Sequence, residues 1–181
     1  MTTQSNHPSL GSLEYLSYLD QEGQINNTFQ GQVGVYAIFD QNQKLQFIGY
    51  SRDIYLSLKQ HLIRKPNQCY WFKVQTINRP SRTILEEIRE NWIAENGSTP
   101  VGNSSELELW TQPINVKTMM LDREKQDYEK AAGDELSQIK VLKQIARRVE
   151  AEILSILEQR GCKEQLRFNP KLKETGLLDL K

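Results

Sequence analysis

The sequence predicts an α/β fold built on a small sheet. Apolar residues alternate along 34–40 and 45–51, which is typical of two paired strands. Behind them, apolar residues recur at helical spacing, and a third strand and a second helix follow. The predicted order is therefore β-β-α-β-α, with the helices packed on a three-stranded sheet.

The first two strands are expected to form a hairpin. In the first strand, Tyr36 and Ile38 lie on one face and the intervening apolar residues on the other. Residues 40–44 have the composition of a turn. Gly49 interrupts the second strand, which indicates a bend or a close approach of another chain segment.

The two predicted helices have recognisable beginnings and ends. Ser51 and Asp53 are both candidate N-caps for the first helix, whose apolar stripe carries His61 on its edge. Pro66 disfavours its continuation, and residues 70–77, rich in aromatic and β-branched side chains, form the third strand. Thr83 to Glu86 resembles a capping box that opens the second helix, and Gly97 ends it.

The flanking regions predict further helices. Ser12 is a candidate cap for a short N-terminal helix carrying leucines on one stripe, which packs either on the core or against a sheet edge. Residues 119–130 have helix-forming composition, and 135–160 read as one long amphipathic helix. We therefore divide the chain into an N-terminal lead (1–31), a central domain (32–103) and a helical C-terminal extension (104–181).

Composition excludes several classes of protein. Acidic and basic residues balance at 23 each, so there is no overall basic signature of a nucleic-acid binder. Residues 34–103 hold nine basic and six acidic residues, a net charge of +3. Cys69 and Cys162 have neither metal-site spacing nor a disulfide framework. With no basic N-terminal region before an apolar run and no run of about 20 apolar residues, we expect a soluble cytoplasmic protein without membrane insertion.

Two tripeptides and two single residues together resemble the GIY-YIG superfamily. Gly34-Val35-Tyr36 and Phe47-Ile48-Gly49 match the two tripeptides, His61 follows on the first helix, and Asn103 ends a Pro-x-x-Asn segment. The resemblance covers about residues 32–103. It implies the β-β-α-β-α fold and the phosphodiester-cleaving active site of that superfamily's nucleases.

Three positions depart from the pattern that the resemblance implies for an active nuclease. Phe47 stands where active members have tyrosine, Ser57 where they carry a phosphate-contacting arginine, and Arg89 where they carry a metal-binding glutamate. Cleavage of a phosphodiester needs a cation at the phosphate and an activated water. We therefore expect a degenerate active site, although Glu86 and Glu90 remain alternative metal ligands.

These observations predict a non-catalytic binding or assembly module. The former active-site face is a candidate for weak nucleic-acid binding through five basic residues: Arg52, Lys59, Arg64, Lys65 and Lys73. The alternative is a Mg²⁺- or Mn²⁺-dependent endonuclease acting on DNA or RNA, with Tyr36, His61, Glu86, Glu90 and Asn103 in its site. A purely protein-binding scaffold is a third possibility. No resident cofactor or structural metal is expected outside the nuclease alternative.

Residues 135–160 are the candidate protein-binding surface. Their apolar stripe is expected either to pack on the chain itself, to dimerise, or to bind in the groove of a partner protein. Packing on the chain itself includes a helical hairpin with residues 119–132.

Overall fold

The computed structural model describes residues 7–181, so the first six residues of the predicted lead lie outside the described range. The chain forms two compact units, the first ending at Trp110 and the second beginning at Thr111. The predicted domain boundaries at 31 and 103 stay predictions. No helix in the described range is long and apolar enough to cross a membrane.

The first unit is built on a four-stranded antiparallel sheet. Its strands are β1 (Leu16–Ser17), β2 (Gly34–Phe39), β3 (Leu45–Ser51) and β4 (Trp71–Thr76), in the order β1-β4-β2-β3. The α/β class and the β2–β3 hairpin are confirmed, and Asp40 Oδ1 accepts hydrogen bonds from the backbone of Asn42 and Lys44 in the turn. The predicted three-stranded sheet is wrong by one strand, because β1 pairs with the outer edge of β4.

Helices α1 (Ile54–Arg64) and α2 (Arg82–Asn96) pack on the sheet. Asp53 is the N-cap of α1, as predicted, and accepts a hydrogen bond from the Leu56 N–H. The predicted capping box at Thr83 is wrong, because Ser81 caps α2 two residues earlier. The α2 side of the sheet holds a core cluster of eight buried residues: Leu10, Val35, Ala37, Phe39, Ile48, Leu85, Ile88 and Trp92.

The N-terminal segment is extended, so the predicted helix after Ser12 is wrong. Residues 10–12 form only a 3₁₀ turn, and β1 follows. Glu95 accepts hydrogen bonds from the Leu10 and Gly11 N–H groups, and Lys73 Nζ donates to the Leu10 carbonyl. These contacts to α2 and β4 favour the extended chain over a short helix, which would be marginal by itself.

The second unit is organised around α5 (Glu135–Gln159), which agrees with the predicted long helix. It also contains α4 (Asp122–Lys130), α6 (Pro170–Lys173) and a pair of two-residue strands, β5 (Ile114–Asn115) and β6 (Leu177–Leu178). A short helix, α3 (Leu107–Thr111), joins the two units along the chain.

The apolar stripe of α5 is covered within its own unit. Its buried members are Leu142, Ile145, Ala146, Val149, Ile153 and Leu157, and α5 contacts α4, α6 and β6. Arg148 binds Glu124 of α4 through two hydrogen bonds of 2.8 and 2.7 Å, and also bonds Glu152 and the Met119 carbonyl. The packing of this helix on the chain itself, including its hairpin with α4, is therefore confirmed for the buried residues of the stripe, whereas Leu136 near the N-terminus of α5 is 79% exposed. Dimerisation through this helix stays a prediction.

Candidate functional site

The polar centre of the first unit is a buried pair formed by Tyr36 and His61. The Tyr36 hydroxyl of β2 lies 2.7 Å from His61 Nε2 on α1, and both residues are at least 96% buried. Tyr36 projects from the face of β2 opposite the eight-residue core cluster, because alternate residues of a strand face opposite sides. His61 approaches Tyr36 from α1. The pair is therefore positioned by β2 and α1, both of which the sequence predicted.

Burial determines the charge of both members. Burial, together with a smaller effect of the nearby Arg64 charge, lowers the pKa of His61 to about 3, against a smaller opposing effect of the Trp110 main chain. Burial also raises the pKa of Tyr36 well above its usual range, against a smaller opposing effect of the Ser57 hydroxyl. At neutral pH the pair is therefore a neutral imidazole bonded to a neutral phenol.

Aromatic rings enclose the pair. Phe47 lies 4.8 Å from His61 between ring centroids, and Trp110 stacks on Phe47 at 5.4 Å with an interplanar angle of 7°. Phe47, which lacks a hydroxyl, thus serves as packing surface. Trp110 lies in the predicted C-terminal extension and was not among the predicted site residues, so its place in the site was missed.

Two glycines permit this close packing. A Cβ on Gly49 would lie 2.6 Å from the Phe47 ring and 2.8 Å from the Tyr36 hydroxyl oxygen. A Cβ on Gly102 would lie 2.6 Å from the Gln46 carbonyl oxygen and 2.9 Å from Trp110. The close neighbours at Gly49 are side chains, whereas a Cβ added at Gly34 would lie 2.3 Å from the backbone oxygen of Gln75 in β4.

Asn103 fastens the site to the edge of the sheet. Its Oδ1 accepts from the Ile48 N–H at 2.8 Å, and its Nδ2 donates to the Ile48 carbonyl at 2.7 Å. One side chain thus satisfies both backbone groups of an edge residue, as a further strand would.

The candidate metal ligands form no metal site. Glu86 accepts hydrogen bonds from Arg82 Nε at 2.8 Å and from the Tyr50 hydroxyl at 3.2 Å, and these contacts lower its pKa. Glu90 pairs with Arg89 at 3.4 Å. Across residues 7–181 no group of three or more His, Cys, Asp or Glu side chains could hold a metal ion. The two acids are engaged by arginines, which disfavour a cation beside them.

The five predicted nucleic-acid-binding residues have different surroundings. Lys73 is only 5% exposed, its ammonium lies 4.1 Å from the Tyr15 ring centroid, and burial lowers its pKa. Arg64 donates to the Trp110 carbonyl at 3.1 Å, and Lys65 pairs with Glu106 at 2.8 Å. Arg52 is exposed, and Lys59 lies over the Tyr55 ring. Arg64 and Lys65 thus contact a neighbouring segment, and the role of all five residues in nucleic-acid binding stays a prediction.

Ser57 is half-buried and donates a hydrogen bond of 2.7 Å to the Ser51 hydroxyl. It supplies no positive charge beside Tyr36.

The two cysteines form no disulfide with each other and lie in very different surroundings. Cys69 is fully buried before β4, and its Sγ lies 3.5 Å from the His61 carbonyl oxygen. Cys162 is half-buried just beyond the C-terminus of α5, and burial raises the pKa of its thiol. The C-terminal end of a helix also disfavours a thiolate, because its partial charge is negative.

Comparisons with known proteins give one informative relative. No family model matches the chain. The chain is 38% identical over 76 residues to the bifunctional monothiol glutaredoxin-S16, chloroplastic, of Arabidopsis thaliana. The match covers 40% of this chain and 26% of the relative, so it spans about a quarter of the relative's length.

This relative corrects the identification made from the sequence. It is named as a glutaredoxin, which points away from the GIY-YIG superfamily, and no family model supports that superfamily. The expectation of a nuclease-like binding or assembly module is corrected with it, as is its alternative, a metal-dependent endonuclease. The relative's name places it in the chloroplast, so a cytoplasmic location for this chain stays a prediction.

Proposed function

We propose that this chain serves a thiol-redox system and corresponds to a part of the bifunctional relative other than its thiol-exchange centre. The similarity to a monothiol glutaredoxin supports the redox connection. The word "bifunctional" in the relative's name, with a match over 26% of its length, leaves room for a part with a different task. The observation that carries the proposal is the state of the two thiols.

Thiol–disulfide exchange needs an accessible thiolate, usually stabilised by a helix N-terminus or a nearby cation. Cys69 is fully buried, so neither glutathione nor a disulfide substrate reaches its sulfur in the folded chain. Cys162 is partly accessible, but burial raises its pKa and it follows the C-terminus of a 25-residue helix. Neither environment is that of an exchange cysteine.

The remaining polar chemistry of the first unit is the pair Tyr36–His61, which contains no sulfur nucleophile. We therefore assign thiol exchange to a glutaredoxin that works with this chain, whether joined to it or separate. In this proposal the first unit supplies a folded domain with a sealed polar pair, and the second unit supplies a helical domain.

The test is a glutathione-dependent disulfide-reductase assay on the whole chain, with an authentic monothiol glutaredoxin as the positive control. We expect no turnover above the rate without protein, and the same result for Cys162→Ser. Turnover that disappears in Cys162→Ser would overturn the proposal and make Cys162 the exchange cysteine. Turnover lost only in Cys69→Ser would overturn it equally.

A further inference from the structure

One edge of the four-stranded sheet is covered by β1 over only part of its length. β1 pairs with β4 at two positions, Leu16 with Phe72 and Ser17 with Trp71. Before Leu16 the N-terminal segment leaves this edge for the core, where Leu10 is buried. Among residues 7–181, no strand therefore lies beside the part of β4 that follows Phe72. We call this part, residues 74–76, the β4 edge.

The main chain of the β4 edge points outward at alternate residues. The Ile77 N–H donates to the Val33 carbonyl at 2.9 Å, and β2 continues the same register along β4. Hydrogen bonding alternates along an antiparallel pair, so Gln75 bonds to β2, whereas the main chains of Val74 and Thr76 face the open side. The Gln75 side chain donates to the Thr76 carbonyl at 2.9 Å. The N–H and C=O of Val74 and the N–H of Thr76 remain open to an added strand.

A groove begins where the β4 edge ends. It has a volume of about 850 Å³ and is lined by residues 75–81 together with His7 and Ile84. Its apolar part includes Ile77, Pro80 and Ile84, which are half-buried or exposed. The β4 edge and the groove share their first residues, and a strand rises about 3.3 Å per residue. An extended segment of roughly six residues is therefore long enough to contact both.

The charges of the groove favour an acidic occupant. Arg79 is exposed and forms no ion pair with any residue that the structure describes. None of the described residues that line the groove is an aspartate or a glutamate. A carboxylate beside a guanidinium forms charge-assisted hydrogen bonds, whereas a cationic side chain would be repelled. Open strand edges bind extended peptides through the main chain, and side chains then provide the selectivity.

We propose that the β4 edge and the groove bind an extended, acidic segment of a partner protein. The segment adds a strand at Val74 and Thr76, places an apolar side chain over Ile77 and Ile84, and brings a carboxylate to Arg79. A second copy of this chain fits less well, because its own edge and groove carry the same positive charge. This inference does not depend on the proposed function.

The first test measures amide hydrogen exchange in the full-length chain by NMR, without any ligand. The amides of Lys73 and Gln75, which bond to β2, should exchange slowly, and those of Val74 and Thr76 should exchange fast. Slow exchange at Val74 and Thr76 would mean that the edge is already covered and would overturn the proposal. Protection that increases with protein concentration would also overturn it, in favour of a second copy as the occupant.

The second test titrates the ¹⁵N-labelled full-length chain with three capped hexapeptides. The acidic probe alternates valine and glutamate, the basic probe alternates valine and lysine, and the third is the acidic probe N-methylated throughout. We expect the acidic probe to shift the amide signals of Val74 and Thr76 and to bind more tightly than the basic probe. The N-methylated probe cannot donate main-chain hydrogen bonds and should bind least.

The variant Arg79→Glu tests the selectivity. It replaces a surface attraction by a repulsion, so the affinity for the acidic probe should fall roughly two- to tenfold at low ionic strength, while the affinity for the basic probe rises. Arg147→Glu, which changes an exposed arginine of α5, is the matched control and should alter neither affinity. Equal binding of the acidic and basic probes, unchanged affinities in Arg79→Glu, or shifts that leave out residues 74–76 would each overturn the proposal.

Discussion

Asn103→Ala should destabilise the first unit by about 1–3 kcal/mol. The side chain makes two short hydrogen bonds to one residue, Ile48. Each typical hydrogen bond contributes about 0.5–1.5 kcal/mol net, and its loss here leaves two backbone groups on β3 without their partner. Water reaches this edge in part, which keeps the estimate below the cost of two fully buried groups.

The assay is urea unfolding followed by tryptophan fluorescence, with the free energy of unfolding extrapolated to water. Asn96→Ala is the matched control, because Asn96 bonds only to Ser98 at the exposed end of α2, and we expect it to cost less than about 0.5 kcal/mol. If Asn103→Ala were as stable as Asn96→Ala, the reasoning that Asn103 replaces a neighbouring strand would be refuted.

Three further predictions concern the pH dependence of stability, the ion pairs of Arg148 and the close packing at Gly49. Folding holds the pKa of His61 near 3 against 6.5 in the unfolded chain, so between these pH values the unfolded state binds more protons. The contribution of His61 to the free energy of unfolding should therefore fall on acidification, by at most about 1.4 kcal/mol per pH unit. Urea unfolding at several pH values measures this slope, and His61→Gln should remove the contribution of His61 to it. Arg148→Ala breaks the paired hydrogen bonds between α4 and α5 and should lower the free energy of unfolding by about 2–3 kcal/mol, measured by thermal and urea unfolding. Arg147→Ala changes an exposed side chain and should lower it by less than about 0.5 kcal/mol. Equal losses in the two variants would contradict the stabilising role of Arg148. Gly49→Ala places a methyl group against two rings and should lower the free energy of unfolding by about 1–3 kcal/mol. In the control Gly11→Ala, the added Cβ meets only a carboxylate oxygen at 3.4 Å, so the free energy of unfolding should hardly change. An unchanged free energy of unfolding in Gly49→Ala would contradict the close packing.

Local patterns predicted the elements that carry the buried pair. Alternation in the β2–β3 hairpin and the Asp53 cap of α1 are short-range signals, and the structure contains both. Tyr36 and His61 could be predicted to approach each other because each lies on an element with a clear period. The cap of α2 was displaced by two residues, since Ser81 and Thr83 are both chemically able to cap and only the register of the helix on the sheet decides.

Long-range packing accounts for what the sequence did not reveal. Leu16 has helical spacing with its neighbouring leucines, yet it pairs with Phe72 on the edge of β4. Lys73 looks like a surface cation in the sequence, but the N-terminal segment covers it with Tyr15 and accepts its hydrogen bond. Trp110 lies in a segment without clear periodicity. The apolar residues Leu107, Leu109 and Trp110 were the available signal that this segment returns to the core.

The relative named as a monothiol glutaredoxin changes the functional interpretation more than the fold does. Two short tripeptides and two single residues carried the nuclease-like identification, which this relative corrects. The chemical question then moves to the thiols, where burial and helix polarity give a definite answer for each cysteine.

The reactivity of the two thiols in the folded protein tests most directly the proposal that neither cysteine of this chain performs thiol exchange. The whole chain would be titrated with a disulfide reagent at neutral pH, and each cysteine followed by mass spectrometry. We expect Cys162 to react with the reagent more slowly than free glutathione does, and Cys69 to react only after the chain unfolds. A thiol in the native chain that reacts faster than glutathione would contradict the account and identify an exchange cysteine in this chain.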